Sequence, residues 1–424
     1  MSTFSQTNSH ALSALASCTE RREVVAAGDI VCADSGTMLW AGGKPVDSRL
    51  QTKLLRRRLE KPIEVSLVVK DGLSGPGIAT TARTLLEQHA SLAKLTGSHS
   101  APVLAALSSL GLQPPVQLLM TAAADRGDGT YEHAVAVCVV ATSLAVRAGL
   151  PDSALATVAL TGLIHDIGEL YINPDYLRAR RELTTQEWLH VVAHTKVGAL
   201  FLEELTSHSP RMARLVRSHH ERMDGTGYPE QLAGAALPRE AQLLSIAETI
   251  TGILTRRDNA LQRASFALKL ILREYDPFLV GLVTSLANPA DCQLPAQFER
   301  ERAIRNLAFQ SRQLGLAMRL AGELARLNLA PGPRRLAERC QSLVAKLQTS
   351  LNSTGVVEYG GLAADLEADE AELLLSVDVI PAEIRWRMRS LSRDIELAER
   401  SFSQQDRDRF SALKAILTQP VPDN

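Results

Sequence analysis

From Tyr131 to about residue 273, apolar residues recur with the spacing of amphipathic helices in six successive segments. Short turn-forming stretches separate the segments, which predicts neighbouring helices around a shared core. The predicted helices are 131–148, 152–166, 184–205, 209–220, 238–255 and 261–273. Aromatic residues make up only 4% of the chain, which fits a core built from leucine and alanine. We therefore expect a mostly α protein.

The chain before this helical region has a different pattern. Short β-favouring pieces alternate with glycine and aspartate turns and predict a small meander. These pieces are Val24–Val25, Ile30–Val31 and Met38–Trp40. Arg49–Glu60 predicts a helix and Ile63–Val69 a further strand, whereas the Ser/Thr-rich residues 1–20 predict poor order at the start. Together these features indicate a small α+β module.

At 424 residues the chain is longer than a single core usually supports, so we expect several domains. Residues 1–115 are predicted to form the α+β module with a helical linker, and residues 120–285 the central helical domain. The turn-forming run Asn288–Asp291 predicts a boundary, because a helix seldom continues through the residue before a proline. Residues 290–424 are leucine- and arginine-rich with helical spacing, and predict a helical accessory domain.

Charge and cysteine content exclude several classes of function. The net charge is −1, so no overall field draws the chain to DNA, and we expect no DNA partner. The five cysteines are odd in number and lack a C-x-x-C spacing, which argues against a disulfide framework and a thiolate zinc site. No uncharged apolar run of about 18 residues and no signal-peptide pattern occurs. We expect a cytoplasmic protein without membrane contact.

Histidines are concentrated in one part of the sequence. Seven of the ten lie between His133 and His220. Imidazole and carboxylate are common ligands of iron, manganese and zinc, and a carboxylate can bridge two ions. His165 and Asp166 are adjacent at the end of an apolar helix that Gly168 terminates, where buried polar groups need a partner. A metal ion would satisfy them.

A second polar cluster runs from Ser218 to Pro229. Two adjacent histidines end a predicted helix, and a loop with two glycines and a proline follows, which can turn sharply and hold its shape. A rigid turn without chemistry would also explain this loop.

The two clusters occur in the order and spacing of a known family. The stretch from His133 to Arg257 resembles the HD-GYP family of bacterial phosphodiesterases, a helical branch of the HD superfamily. The resemblance rests on His133, His-Asp-Ile-Gly at 165–168, His194, His-His-Glu at 219–221 and Asp-Gly-Thr-Gly-Tyr-Pro at 224–229. It implies that residues 120–285 form a helical HD-superfamily domain, flanked by the α+β module and the C-terminal helical domain.

The resemblance implies two metal sites that share Asp166. The first would contain His133, His165, Asp166 and Glu248, and the second Asp166, His194, His219 and His220. Two divalent ions are expected, iron or manganese rather than zinc. They would support hydrolysis of a cyclic dinucleotide in bacterial signalling, with cyclic di-GMP giving linear pGpG or GMP.

Further roles follow from the same resemblance. By this resemblance Asp166 is an expected catalytic residue. Glu169, which is not part of the family pattern, is a second candidate, with a surface or salt-bridge role as its alternative. The expected substrate-binding residues are Arg222, Asp224, Gly227, Tyr228, Pro229 and Arg257. Family members also use the Gly-Tyr-Pro loop for recognition, so a diguanylate cyclase domain is a candidate partner, and a homodimer is another. Arg222 has an alternative role, in which it pairs with Glu221 or Asp224.

The sequence departs from the family pattern at several positions. Glu169 stands where the family has a phosphate-binding lysine, and Glu248 where it has aspartate. Thr251 replaces a second acid, and Gly129 replaces the acid that binds a third metal in some members, so we expect a dinuclear centre. Two functions stay open: an active phosphodiesterase, or a catalytically degenerate HD-GYP domain that binds a nucleotide or protein and signals. The complete set of ligands favours the first, and the lost lysine favours the second.

Overall fold

The computed structural model describes residues 3–54, 57–178, 181–293, 299–353 and 371–421. It divides into two compact units, Met1–Thr255 and Arg256–Asn424. Helices dominate both units, which confirms the mostly α prediction. The helices of the first unit are α1 (Ser9–Arg21), α2 (Ser48–Leu54), α3 (Ile63–Ser66), α4 (Gly75–Gln88), α5 (Ala90–Thr96), α6 (Ser100–Ser108), α7 (Pro114–Arg126), α8 (Thr130–Arg147), α9 (Asp152–Ile164), α10 (Pro174–Leu177), α11 (Thr185–Leu205), α12 (Pro210–Ser218) and α13 (Arg239–Arg256).

The strands of the first unit form two separate pairs. The strands are β1 (Val24–Ala26), β2 (Ile30–Val31), β3 (Met38–Trp40) and β4 (Leu67–Val69). Strand β1 pairs antiparallel with β4, and β2 pairs with β3, so the predicted meander is wrong. The predicted strand 63–69 is also wrong in its first half, because residues 63–66 form α3.

The predicted helix 49–60 is too long, because α2 ends at Leu54. The reason is tertiary. The backbone N–H of Leu59 donates to the Ser5 carbonyl at 2.8 Å, and that of Glu60 donates to the Val31 carbonyl at 3.0 Å. These long-range bonds hold residues 59–60 extended, and they override the local helical pattern.

The expectation of poor order near the N-terminus is also wrong, because helix α1 begins at Ser9. The Asn8 side chain caps it by accepting from the N–H groups of His10 and Ala11. Its buried face includes Leu12, Leu15 and Cys18. An amphipathic helix with a capping asparagine therefore stands where composition alone suggested a loose tail.

Helix α8 forms the centre of the first unit and is buried along most of its length. Helix α9 packs closely against it at Gly162, where an added Cβ would lie 3.0 Å from the Cys138 Cα. This close approach places the start of α8, with His133, near the end of α9, with His165.

A short 3₁₀ helix, Ile167–Tyr171, follows α9 and packs on α11. The contact depends on Gly168, where an added Cβ would lie 2.0 Å from the His194 carbonyl oxygen. Any larger side chain would separate the two backbones. Gly168 thus lets Asp166, two residues earlier, lie beside His194.

The second unit contains helices α14 (Ala260–Lys269), α15 (Pro277–Thr284), α16 (Arg300–Arg326), α17 (Pro331–Ser353), α18 (Ala371–Ala398) and α19 (Gln404–Thr418). The four long helices α16–α19 pack around one apolar core. Pro331 is the first residue of α17, a position at which proline is well tolerated. The predicted domain limits of 115, 120, 285 and 290 stay predictions.

Within the described residues, no single helix is long and apolar enough to cross a membrane. Helices α7 and α8, bent by 119° at the break between them, meet the same criterion only as a pair.

Candidate metal centre

Seven side chains of the first unit meet around a common space: three lie on helices α8, α11 and α13, and four lie in the turns that follow α9 and α12. Their ligand atoms form two groups, and within each group these atoms lie within 4.8 Å of one another. The first group is His133, His165, Asp166 and Glu248, and the second is Asp166, His194, His219 and His220. The membership is the same as in the two sites that the sequence resemblance implies.

Asp166 faces both groups with different oxygen atoms. Its Oδ2 lies 2.9 Å from His165 Nε2, in the first group. Its Oδ1 lies 3.3 Å from the Nε2 atoms of both His194 and His219, in the second. In the first group, Glu248 Oε2 lies 3.2 Å from His165 Nε2. This is the arrangement expected of a carboxylate that bridges two ions.

Three of the rings contact the same kind of backbone group, a carbonyl oxygen, and this contact fixes the tautomer of each ring. In each, Nδ1 lies within hydrogen-bonding distance of the carbonyl oxygen three residues earlier: His165 with Gly162 (2.8 Å), His194 with Val191 (2.6 Å) and His219 with Val216 (2.6 Å). Because a carbonyl oxygen only accepts, Nδ1 carries the proton and Nε2 of the neutral ring is a lone pair. This arrangement is typical of histidines that bind metals.

The Nε2 atoms therefore point at carboxylate oxygens that also only accept. Among the described residues, His165 Nε2 and Asp166 Oδ1 are buried and have no hydrogen-bond partner. Buried polar atoms without a partner are costly, and a cation between them would remove the conflict. The donor set of imidazoles and carboxylates fits a divalent metal ion.

The electrostatics of the group agree with this interpretation. Burial alone would raise the pKa values of Asp166 and Glu248, but the neighbouring histidines hold both well below their usual range. Burial lowers the pKa of His165, yet the adjacent Asp166 carboxylate more than offsets it, and the net pKa is well above normal. Burial and the nearby His219 hold the pKa of His220 well below its usual value. A metal ion would displace the proton that His165 otherwise attracts.

Glu221 holds the loop that follows the paired histidines. It is fully buried, and its two carboxylate oxygens accept from the backbone N–H of Glu230 at 2.6 Å and of Leu232 at 3.0 Å. Gly227 packs so closely that an added Cβ would lie 2.4 Å from the Glu221 Cα. Gly227 and the backbone of Glu230 and Leu232 thus hold the loop against Glu221, just after the end of α12.

Tyr228 places its ring beside the second group. The ring stacks on His220 with centroids 4.6 Å apart and planes 26° apart. Trp188 of α11 contacts the Tyr228 ring edge to face at 5.7 Å. The bond between Tyr228 and Pro229 is cis.

The family model for the HD domain matches residues 117–276. This segment is therefore similar to HD domains. The match confirms the HD-superfamily part of the resemblance, and it runs from α7 past the end of α14.

Two bacterial phosphodiesterases are similar in sequence to part of this chain. A cyclic di-GMP phosphodiesterase of Pseudomonas aeruginosa is 32% identical over 161 residues, which are 38% of this chain and 39% of that protein. A 3′3′-cGAMP-specific phosphodiesterase of Vibrio cholerae is 29% identical over 143 residues, 34% of this chain and 33% of that protein. The chain therefore spans about two-fifths and one-third of these relatives.

A solved HDG"Y"P protein from Bdellovibrio bacteriovorus also resembles the chain. It is 14% identical, covers 63% of this chain and 97% of its own length, and has a TM-score of 0.35. That score is too low to establish a shared overall architecture.

Of the predicted substrate-binding residues, Arg222 and Asp224 are engaged within the HD domain. The buried Arg222 guanidinium donates to Ser245 Oγ at 2.7 Å and to Thr249 Oγ1 at 3.1 Å. Asp224 accepts from the Thr226 hydroxyl at 2.6 Å, which shapes the loop. Their predicted role in binding substrate stays a prediction.

Two other predicted site residues lie apart from these loop contacts. Glu169 is half-buried on the 3₁₀ helix, and burial together with the Asp166 carboxylate raises its pKa to about 7. Arg257 is exposed just after α13, in the second unit. His190 belongs to neither group; it is exposed, and its ring centroid lies 6.0 Å from that of Tyr176.

Sequence reasoning missed two residues that shape the site. Glu221 was visible as the last member of His-His-Glu, but nothing in the string showed that its carboxylate would hold the loop backbone. Trp188 belongs to none of the recognised motifs. Its only signal was its position six residues before His194 on a predicted helix, and that spacing alone did not distinguish it from a packing residue.

Proposed function

We propose that this chain is a metal-dependent phosphodiesterase that hydrolyses a cyclic dinucleotide, with Asp166 shared between two divalent ions. The observation that carries the proposal is the convergence of the seven side chains, with buried acceptor atoms facing one another. The known activities of the two relatives support the same class of substrate. The seven donors are imidazoles and carboxylates, which suit iron or manganese, the ions that the resemblance to the HD-GYP family implies.

Each ligand has a proposed task. His133, His165 and Glu248 would hold one ion, His194, His219 and His220 the other, and Asp166 both. When bound, the ions would acidify a water molecule and neutralise charge that develops on the phosphoryl oxygens. The Nδ1 contacts to backbone carbonyls keep three of the rings oriented before any ion arrives, which limits the reorganisation that binding requires.

Glu169 is proposed as a second catalytic residue beside Asp166. In the metal-free protein the pKa of the Glu169 carboxyl is about 7, so this group can hold or release a proton near neutral pH, as a general acid or base does. The HD-GYP family has a lysine with a fixed positive charge at this position. This chain would instead have a carboxyl group that accepts and releases a proton.

The residues proposed to contact the nucleotide are Arg222, Asp224, Gly227, Tyr228, Pro229 and Arg257. A diguanylate cyclase domain is a proposed partner of the same loop, and a cytoplasmic location and a homodimer remain expectations. The rigid attachment of the loop by Glu221 supports a recognition role, because a fixed surface loses less entropy on binding.

Turnover with two substrates tests the proposal. The protein is reconstituted with Mn²⁺ or, without oxygen, with Fe²⁺, and incubated with cyclic di-GMP and with 3′3′-cGAMP. Chromatography should show linear dinucleotide or mononucleotide from at least one of them. The His165→Ala variant should show none, because it lacks a ligand of the first group. His190→Ala is the matched control and should retain full turnover, because its ring lies outside both groups.

If the protein binds metal but hydrolyses neither substrate, the proposed phosphodiesterase activity is contradicted and a catalytically degenerate binding module is favoured. The Glu169→Lys variant then separates two causes. Recovered turnover would assign the loss to the exchanged charge at this position, and continued inactivity would assign it elsewhere.

A further inference from the structure

We propose that Tyr228 is a positioning residue for the second metal group: its ring, braced by Trp188, holds the His220 imidazole in the orientation that binds an ion. The inference rests on the proposed function, since it presumes that the groups bind metal. It gives the tyrosine of the loop a task inside the metal centre, separate from contact with substrate or partner.

His220 is held differently from the other histidines of its group. The rings of His194 and His219 are fixed through Nδ1 by backbone carbonyls. In the part of the chain that the structure describes, the His220 ring has ring contacts in place of such a bond. The histidine χ2 torsion is broad, so an imidazole without a hydrogen bond keeps rotational freedom unless packing removes it.

Tyr228 supplies that packing in the most parallel contact that the His220 ring makes. The planes of the two rings are 26° apart, against 46° for His219 and 87° for His194. A rotation of the imidazole about its Cβ–Cγ bond would drive it into the phenol face. Stacking therefore restricts the torsion that would otherwise move the nitrogen ligand out of the group.

The tyrosine is itself held from three sides. Its backbone N–H donates to the His220 carbonyl at 3.3 Å, which fixes the ring over the same residue that it stacks on. Glu221 holds the far side of the loop through Glu230 and Leu232. Trp188 meets the outer edge of the phenol ring at 5.7 Å. Since Trp188 and His194 share helix α11, the brace and the second group are built on one rigid element.

Mn²⁺ titration followed by electron paramagnetic resonance tests the inference. Wild type should bind two equivalents and show the signal of a spin-coupled pair. Tyr228→Leu removes the aromatic face and should weaken the second equivalent about 10- to 100-fold, the range for lost outer contacts of metal ligands, and leave the signal of an isolated ion. Tyr228→Phe keeps the ring and should bind both equivalents of Mn²⁺ with wild-type affinity.

Matched controls separate stacking from general disturbance. Tyr176→Leu removes a tyrosine that contacts His190, a histidine outside both groups, and should leave both equivalents unchanged. Trp188→Leu removes the brace and leaves Tyr228 in place, so it should weaken the second equivalent less than Tyr228→Leu does. It also provides the test if circular dichroism shows that Tyr228→Leu is unfolded.

Three results would overturn the inference. If Tyr228→Leu binds two equivalents with wild-type affinity, the inference is wrong and the proposed function is unaffected. An equal loss in Tyr228→Phe would show that the hydroxyl matters and that stacking does not. Failure of wild type to bind Mn²⁺ would remove the proposed function as well, and the three cases are distinguishable in one set of titrations.

Discussion

Each unit of this protein contains a buried cluster of ionisable groups, and the two clusters balance their charge differently. In the second unit, the Arg387 guanidinium donates to Glu274 at 2.7 Å, to Glu383 at 2.9 Å and to the Ala267 carbonyl at 3.1 Å. In the first unit, Asp166 and Glu248 have histidine rings as their side-chain partners among the described residues.

The difference indicates which cluster serves the fold and which serves a ligand. A buried carboxylate needs a positive partner, and Arg387 provides one from within the chain. Around Asp166, lone pairs of fixed imidazoles face carboxylate oxygens, so the positive charge has to be a proton or an external cation. A cluster that the chain leaves incomplete is a candidate binding site, whereas a completed one stabilises its unit.

The largest effect is expected when the shared carboxylate is changed. Asp166→Asn should lower turnover at least about 10³-fold, because each group loses a charged ligand. Turnover and metal content should be compared per folded chain, because Asp166 is also the charge partner of His165 in the metal-free protein. A variant that retains turnover would contradict the bridging role.

Arg387→Met should lower the stability of the fold and leave metal binding unchanged. Removal of one partner of a buried ion pair leaves Glu274 uncompensated and should lower the free energy of unfolding by about 3–5 kcal/mol. Metal content per folded chain should not change. Arg339→Met is the control, because its partner Asp394 and the arginine itself are partly exposed, and it should cost about 1 kcal/mol or less. An equal loss of unfolding free energy in Arg387→Met and Arg339→Met would contradict the structural role of the buried Arg387 cluster.

Removal of metal should lower stability only where the site is complete. At a free ion concentration 100 times the dissociation constant, binding stabilises the folded state by about 2.7 kcal/mol. A chelator should therefore lower the melting temperature of wild type and leave that of Asp166→Asn unchanged. A similar shift in both proteins would place the stabilising ion elsewhere.

The smallest expected effect concerns Glu169 and pH. Its pKa in the folded protein is raised to about 7, so the folded state binds this proton more tightly than the unfolded state. The resulting stability of the metal-free protein is present below about pH 4.5 and is lost as the pH rises through about 7. Glu169→Gln should flatten this part of the stability profile in urea titrations. A variant profile that parallels wild type would contradict the raised pKa.

Periodicity predicted the helices around the site well. The six segments from 131 to 273 correspond to α8, α9 and α11–α14, with most ends within two residues, because long amphipathic patterns leave little ambiguity. The N-terminal module was predicted less well. Its strand pairing and the end of α2 depend on hydrogen bonds between residues far apart in sequence, which local pattern does not encode.

The same contrast applies to the site: its ligand residues were predictable from the sequence and the residues that support them were not. Histidines and acids in a recognised order were sufficient to name the seven residues that meet, although their binding of metal stays a prediction. The supports of those residues were not predictable. The close approach at Gly168, the loop-holding carboxylate of Glu221 and the brace at Trp188 each depend on how elements pack in space.

Anomalous diffraction from crystals grown with Mn²⁺ tests the central claim most directly. The account predicts two anomalous peaks roughly 3.5–4 Å apart, with one Asp166 oxygen directed at each. One peak surrounded by His133, His165 and Glu248 and the other by His194, His219 and His220 would complete the assignment. No peak at this cluster, or a single ion that Asp166 does not contact, would contradict it.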